Sequence, residues 1–501
     1  MGILPMRTTG ILPVVLSGDC RAKMALLLTG KMPVLLRKMP VTNRRLTVAM
    51  CVFFCVGADL AGCGKSGAPP PASAGPGDAQ IVAKIDRSLA AASRYLSACQ
   101  SKDGAWRSQT YGALRDGPSL SPHVVTCLFF LPASPQQQAA FQNGAAYLES
   151  LADDAGGPRA DVELLYPVYT AAEISRMIGK GILSDRGKAI HAAWLKYLRR
   201  FQMNESLGWQ EADAEYGGWG FSPRPPIKPG GATIRGAWDW PNLSATIYGL
   251  AALRSAKTPP EDPAFRQALV FIRRCQNYSD DPNLADARFD DGGFFFTPAE
   301  PIQNKAGAAG RDALGRQRFH SYGSMTADGL RGLLACGLPA GHPRVAAARG
   351  WIARNFSVEH NPGTFEPRNE WMRDATYYYW CWGLSHGLLH LGDRRIQTPG
   401  GEVDWAPELA AALLRRQQPD GSWVNSLTEA KEDDPLVATP LAASALAICR
   451  HVLAGPGAAA PCAPASAPAS APAEKPATAP ADVRRTGTRE WARGGAPVPP
   501  R

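Results

Sequence analysis

"QQPDGSW", residues 417–423, and "CQSKDGAW", residues 99–106, are two spellings of one phrase. Each sets Gln, a short polar turn, Gly, one residue and Trp behind an apolar helical run. Asp-Gly supplies the chemistry of a tight corner, because Asp bonds its own backbone and Gly accepts a positive φ. A phrase written near both ends of a chain is either a binding device used twice or the joint of a repeated unit. The surrounding sequence decides for the joint. Tyr95-Leu96…Gln100, Tyr197-Leu198…Gln202, Phe271-Ile272…Gln276 and Leu413-Leu414…Gln418 share an apolar pair, three residues and a Gln. Tyr147-Leu148 and Trp351-Ile352 open the same pattern without the Gln. Gly-aromatic turns follow at Gly104-Ala105-Trp106, Gly217-Gly218-Trp219, Gly292-Gly293-Phe294 and Gly421-Ser422-Trp423.

Between the joints lie helical runs that are apolar nearly all round, at about 121–131, 164–178, 241–256, 320–337, 373–390 and 434–452. One amphipathic helix followed by one apolar helix, six times over, predicts two concentric layers. "YLSACQSKDGAW" and "LLRRQQPDGSW" resemble the QW repeat of squalene–hopene cyclases and related class II terpene cyclases, whose toroid the protein prenyltransferase β-subunits share. The resemblance covers roughly 80–453. It implies an all-α (α/α)6 toroid with six parallel inner helices and six outer helices antiparallel to them. It also implies that the Gln bonds to backbone and the Trp stacks on its amide, tying each outer helix to the following inner one.

The flanks read differently. Residues 455–501 are an Ala/Pro-rich tail with too few large apolar residues to offset ordering entropy, and 64–78 is a Gly/Pro/Ala linker by the same argument. Arg44-Arg45, the apolar stretch 46–58 and Leu60-Ala61-Gly62-Cys63 make a secretory signal over 39–63, too short to span a bilayer as a mature helix. Its last four residues resemble a bacterial lipobox, which implies lipidation of Cys63, a membrane anchor and a place in the cell envelope. Residues 1–38 fit neither part, and Met39 is an alternative start. The net charge of +10 divides as +6 over 1–78 and +3 over 455–501, leaving +1 on the body. The basic balance belongs to the tails, so no nucleic-acid partner is expected. The six body cysteines stand singly within helical runs and are expected to be buried thiols.

Parallel inner helices gather their positive N-terminal ends at one mouth, where a polar or anionic ligand is favoured. The candidates there are catalytic Asp374, His320 and Asp433, and ligand-binding His123, Asp239, Trp240, Tyr377 and Tyr378. Asp, Asn, Ser and Thr are also ordinary helix caps, with Asp434-Pro435 and Thr439-Pro440 reading as cap-plus-proline starts. The cyclases' Asp-x-Asp-Asp acid is missing, and Glu432-Asp433-Asp434-Pro435 is the nearest stretch. The prenyltransferases' zinc-binding Asp-x-Cys meets Asp374-Ala-Thr376, with Thr in the place of Cys. His386 and His390 share a helix face, but in last turns where His suits the dipole, so no metal and no cofactor is expected. Of Tyr377, Tyr378, Tyr379 and Trp380, at least half must pack against neighbouring helices. The sequence therefore predicts a monomeric envelope lipoprotein whose toroid mouth takes a small-molecule, glycan or peptide ligand. A terpene cyclase-like enzyme, or a polysaccharide lyase or hydrolase, is the alternative.

Overall fold

A computed structural model describes residues 76–455 except 180–181, 183–186, 231–234 and 237. Cys63, the signal segment and the Ala/Pro tail lie outside the described residues. Among the described residues twelve α-helices follow in order: α1 Pro76–Ala98, α2 Ser121–Phe130, α3 Pro135–Ser150, α4 Pro167–Gly179, α5 Gly187–Arg199, α6 Leu243–Ser255, α7 Pro263–Arg274, α8 Gly323–Ala335, α9 Pro343–Arg354, α10 Tyr377–Leu391, α11 Trp405–Arg416 and α12 Pro435–Ala454. The even-numbered helices form a closed inner ring, each packed on the next and α12 on α2. The odd-numbered helices lie outside: α1 against α12, α3 against α2, α5 against α4, α7 against α6 and α8, α9 against α8 and α11 against α12. This is the all-α toroid, with its core between the layers and along the axis. Short antiparallel hairpins, β1 Trp219–Gly220 with β2 Pro241–Asn242, β3 Ala308–Arg311 with β4 Gln317–Phe319, and β5 Arg395–Thr398 with β6 Gly401–Asp404, fill corners.

The helices start where side chains satisfy their first free N–H groups. Ser134 accepts from Gln137 N, Asn242 from Ala245 N, Asp262 from Ala264 N and Asp434 from Leu436 N. Asp434-Pro435 is thus the start of α12. Thr439-Pro440, read above as a second start, sits inside that helix. The Thr439 hydroxyl is occupied in the joint instead, accepting from Trp423 N at 3.0 Å. α12 has 20 residues, with a mean hydropathy of 1.6 over its most apolar 18, and is long enough to cross a membrane, yet most of it is buried as an inner wall.

The joints have a common geometry. A Gln at the end of one outer helix donates to the carbonyl of its own turn Gly and to a carbonyl of the next outer helix. Gln100 reaches Gly104 and Ala140 (2.9 and 2.8 Å), Gln202 reaches Gly217 and Ala264, and Gln276 reaches Gly292 and Arg344. The indole of Trp106, Trp219 or Trp423 donates back to its own helix at Leu96, Leu198 or Leu413. The aromatic residue's backbone N–H meets a hydroxyl on or at the start of the following inner helix: Ser121, Thr246, Thr326 or Thr439. The joint therefore ties an outer helix to the next outer helix as well as to the following inner one. In the last repeat the clamping residue is Gln417, four residues after Leu413, and not Gln418.

Candidate functional site

Contacts between loops and inner-helix starts assemble one mouth. Thr170 at the start of α4 donates to Pro118 O before α2, and Ser244 in the first turn of α6 shares a 2.8 Å hydrogen bond with Tyr379 of α10. Asn361 accepts from Ser324 N on α8 and donates to Thr376 before α10. Two carboxylates of this rim, Glu432 and Asp374, are committed to backbone. Glu432 accepts from Tyr378 N and Tyr379 N, both at 2.9 Å, and from Asn425 Nδ2. Burial pushes its carboxyl up to about 7, against the pull of those donors.

The three catalytic candidates have separate partners. Asp374 accepts from Asn361 N at 3.2 Å. Asp433 accepts from the Tyr111 hydroxyl at 2.6 Å, and burial raises its pKa. His320 is half-buried beside Glu366 and Asp291, and burial lowers its pKa. Among the ligand-binding candidates, Tyr377 donates to Val358 O and carries the Arg416 guanidinium 4.4 Å from its ring, on the side of outer helix α11. Tyr378 donates to Val424 O. Asp239 accepts from Gly236 N, and Arg235 lies 3.7 Å over Trp240, so both belong to the loop before α6.

Of the candidates, His123 lines a small pocket. Ser119, Pro122 and His123 from the start of α2, Tyr169, Thr170 and Glu173 from α4, and Tyr248 from α6 enclose about 10 Å³, room for one water-sized group. Ser119 is held by Asp116, whose carboxyl burial pushes up to about 6. Desolvation, then the nearby Arg176 cation, holds His123 well below its ordinary pKa, so the imidazole is neutral. Glu173 is 3% exposed and pairs with Arg176 one turn further along α4, at 2.7 Å. An aromatic wall continues from the pocket. Tyr169 meets Tyr248 edge-on at 4.2 Å and stacks on Phe221 at 5.7 Å, and Trp238 lies 5.2 Å from Tyr166.

A second buried ion pair lies at a similar position on the inner helix α8. Asp328 and Arg331 on α8 pair at 3.0 Å, Tyr379 donates to Asp328 at 2.7 Å, and Arg331 lies 4.2 Å over Trp382. Burial pushes Asp328 up to about 6, while Arg331 and Tyr379 oppose the rise. His386, 4.5 Å from Trp382, bonds Trp382 O through Nδ1. Because a carbonyl only accepts, Nδ1 carries the proton. Desolvation, then Arg331, keeps the ring neutral. Each acid lies nearer its helix N-terminus than its Arg, the order that the inner-helix dipoles favour. Sequence reading passed over Glu173, Arg176, Asp328 and Arg331. Their signal is an acid-x-x-Arg pair inside a helix otherwise apolar all round. Among the described residues no group of three or more His, Cys, Asp and Glu is placed to hold a metal. The six body cysteines are free thiols, four of them buried.

No protein-family model matches the chain, and no curated protein does. Similar solved structures include a variant of the type II terpene cyclase MstE from Scytonema, in complex with geranylgeranyl dihydroxybenzoate. It is 14% identical, with a TM-score of 0.45 over 74% of this chain and 98% of that one. D-mannose isomerase is 11% identical, with a TM-score of 0.45 over 76% and 99%. A protein from Actinoplanes is 15% identical, with a TM-score of 0.42 over 73% and 99%. At these values neither the cyclase nor the isomerase lends its chemistry to this chain, and the toroid stands on its own helix packing.

Proposed function

We propose that this protein is a monomeric toroid, lipid-anchored in the cell envelope through Cys63, that binds a hydroxyl-bearing glycan group at the α2–α4–α6 pocket without class II cyclase chemistry. The observation that carries this reading is the charge balance of the pocket. Glu173 is offset by Arg176, and His123 is neutral, so the lining offers hydrogen-bond donors and acceptors with no net charge. Hydroxyl groups suit such a lining, since each donates one bond and accepts others. Half-buried Trp238, packed on Tyr166 and Phe221, supplies a flat face beside it, of the kind on which sugar rings stack.

Cyclase chemistry is disfavoured by what fills the axis. An apolar polyene is poorly matched to an axis where two buried ion pairs and His386 lie between the inner helices. The carboxylates nearest to a cyclase acid, Glu432, Asp433 and Asp434, serve helix starts and Tyr111. Turnover of the bound glycan, as a lyase or hydrolase, is a second reading, favoured by a carboxylate and a neutral imidazole lining the same pocket. Saturation-transfer NMR of the full chain with neutral saccharides and with tripeptides tests the proposal. Saturation of a saccharide is expected. Conversion of squalene to a cyclised product by mass spectrometry, or no saccharide signal, overturns it.

A further inference from the structure

Tyr379, Trp382 and His386 follow one another at intervals of three and four residues on α10, and so share one face of that helix. That face looks across the ring. Tyr379 meets Ser244 of α6, two inner helices away, and Arg176 of α4, the inner helix opposite, is among the cations that hold His386 neutral. Arg176, Arg331 and His386 are the tenth, ninth and tenth residues of their inner helices, which places them at about one level. The α10 face is closed to solvent, with Trp382 0% and His386 1% exposed. Two of its polar atoms, Trp382 Nε1 and His386 Nε2, have no hydrogen-bond partner among the described residues. The indole nitrogen carries a hydrogen and only donates. The imidazole Nε2 is bare, because Nδ1 holds the proton in its bond to Trp382 O, and so it only accepts. Arg331 lies over the Trp382 ring and hydrogen-bonds only Asp328 among the described residues, through Nη1.

We propose that one ordered water is bound on the toroid axis, accepting from Trp382 Nε1 and donating to His386 Nε2. A donor and an acceptor that are both fully buried lose their hydration when the inner ring closes, and leaving either unmade is costly. A single bridging water restores both bonds at once, nearly as well as a direct contact would. The two rings lie 4.5 Å apart with a 49° tilt, and water is the smallest molecule that both accepts and donates. With both rings closed to solvent, nothing of the size of a sugar is admitted. The water's second lone pair is left for a guanidinium N–H of Arg331 that Asp328 does not use, giving the three bonds common for a buried water. So bound, it joins α10 to α8 between the ion pair and the imidazole. It also holds His386 in one tautomer, since an accepting Nε2 keeps the proton on Nδ1. This inference rests on α8 and α10 and is independent of the glycan reading.

The indole N–H of Trp382 reads this site by nuclear magnetic resonance of the isotope-labelled full chain, its signal identified by its loss in Trp382→Phe. An Overhauser contact between that proton and a long-lived water is expected. The buried indole of Trp106, bonded to Leu96 O, is the comparison and is expected to show none. His386→Leu removes the acceptor while keeping the indole, and loss of the Trp382 water contact is expected. A water contact at both indoles or at neither, or one that His386→Leu leaves unchanged, overturns the bridge. The wild type alone gives a second reading, which does not depend on the variant folding. Spin coupling between the indole and imidazole nitrogens across a direct hydrogen bond would overturn the proposal, and its absence together with the water contact supports it.

Discussion

Gln417 and Ser88 close the ring. The Ser88 hydroxyl donates to Gln417 Oε1 at 2.7 Å, and Gln417 Nε2 returns a 3.0 Å bond to Ser88 O, joining the last outer helix α11 to the first, α1. The turn glycine makes the approach possible. Gly421 has φ +94°, and an added Cβ would lie 2.5 Å from Ala91 O on α1. Gly104, Gly217 and Gly292 meet the next outer helix in the same way.

Gln417→Ala leaves buried carbonyls of Ser88 and Gly421 without their donor. It is expected to cost roughly 1–3 kcal/mol in urea denaturation. Gln418→Ala removes an exposed side chain and is expected to stay within about 0.5 kcal/mol. Equal losses would mean that ring closure does not run through Gln417.

That pair shows what was legible in the sequence. The repeat, the two layers and all six inner helices follow from the Gln-Gly-aromatic spacing, because the joint needs those residue types at fixed offsets. The register of the last joint does not follow, because "QQ" offers two glutamines and only the helix phase of Leu413 selects one. Of the site, His123 was legible as a polar residue at an inner start. Glu173, Tyr169 and Tyr248 were not, since one turn into an apolar helix they read as core. Their convergence depends on the closure of three helices that no local pattern encodes.

The axial ion pairs give a second prediction. Arg331→Met strands the fully buried Asp328 carboxylate and is expected to cost roughly 3–5 kcal/mol. Asp328→Leu combined with Arg331→Met removes both charges and leaves Tyr379 bonded to Ser244. The double variant is expected to be more stable than Arg331→Met alone in the same denaturation experiment. A double variant as weak as the single one would show that the pair is required as a pair.

The folded-state pKa of His386 is depressed, so its contribution to stability is present above the unfolded value near 6.5 and is lost as pH falls below it. The loss approaches about 1.4 kcal/mol per pH unit for one proton. Asp328 and Glu432, raised to about 6 and about 7, act oppositely, their stability being lost as pH rises through those values. The difference between wild type and His386→Gln isolates the histidine. The variant's stability is expected to fall less steeply below pH 6.5, as read by thermal denaturation across a pH series. Parallel curves would place a protonated imidazole at the axis.

The pocket itself is tested most directly by isothermal titration of glucose, mannose and N-acetylglucosamine into the full chain, wild type against Tyr248→Phe. Removing one hydroxyl from the lining keeps the aromatic ring that packs on Tyr169. Saturable binding of at least one of these sugars by the wild type is expected, with about ten-fold weaker binding by the variant, roughly 1.4 kcal/mol. Binding that is unchanged by Tyr248→Phe, or no binding of any of the three by the wild type, would contradict it.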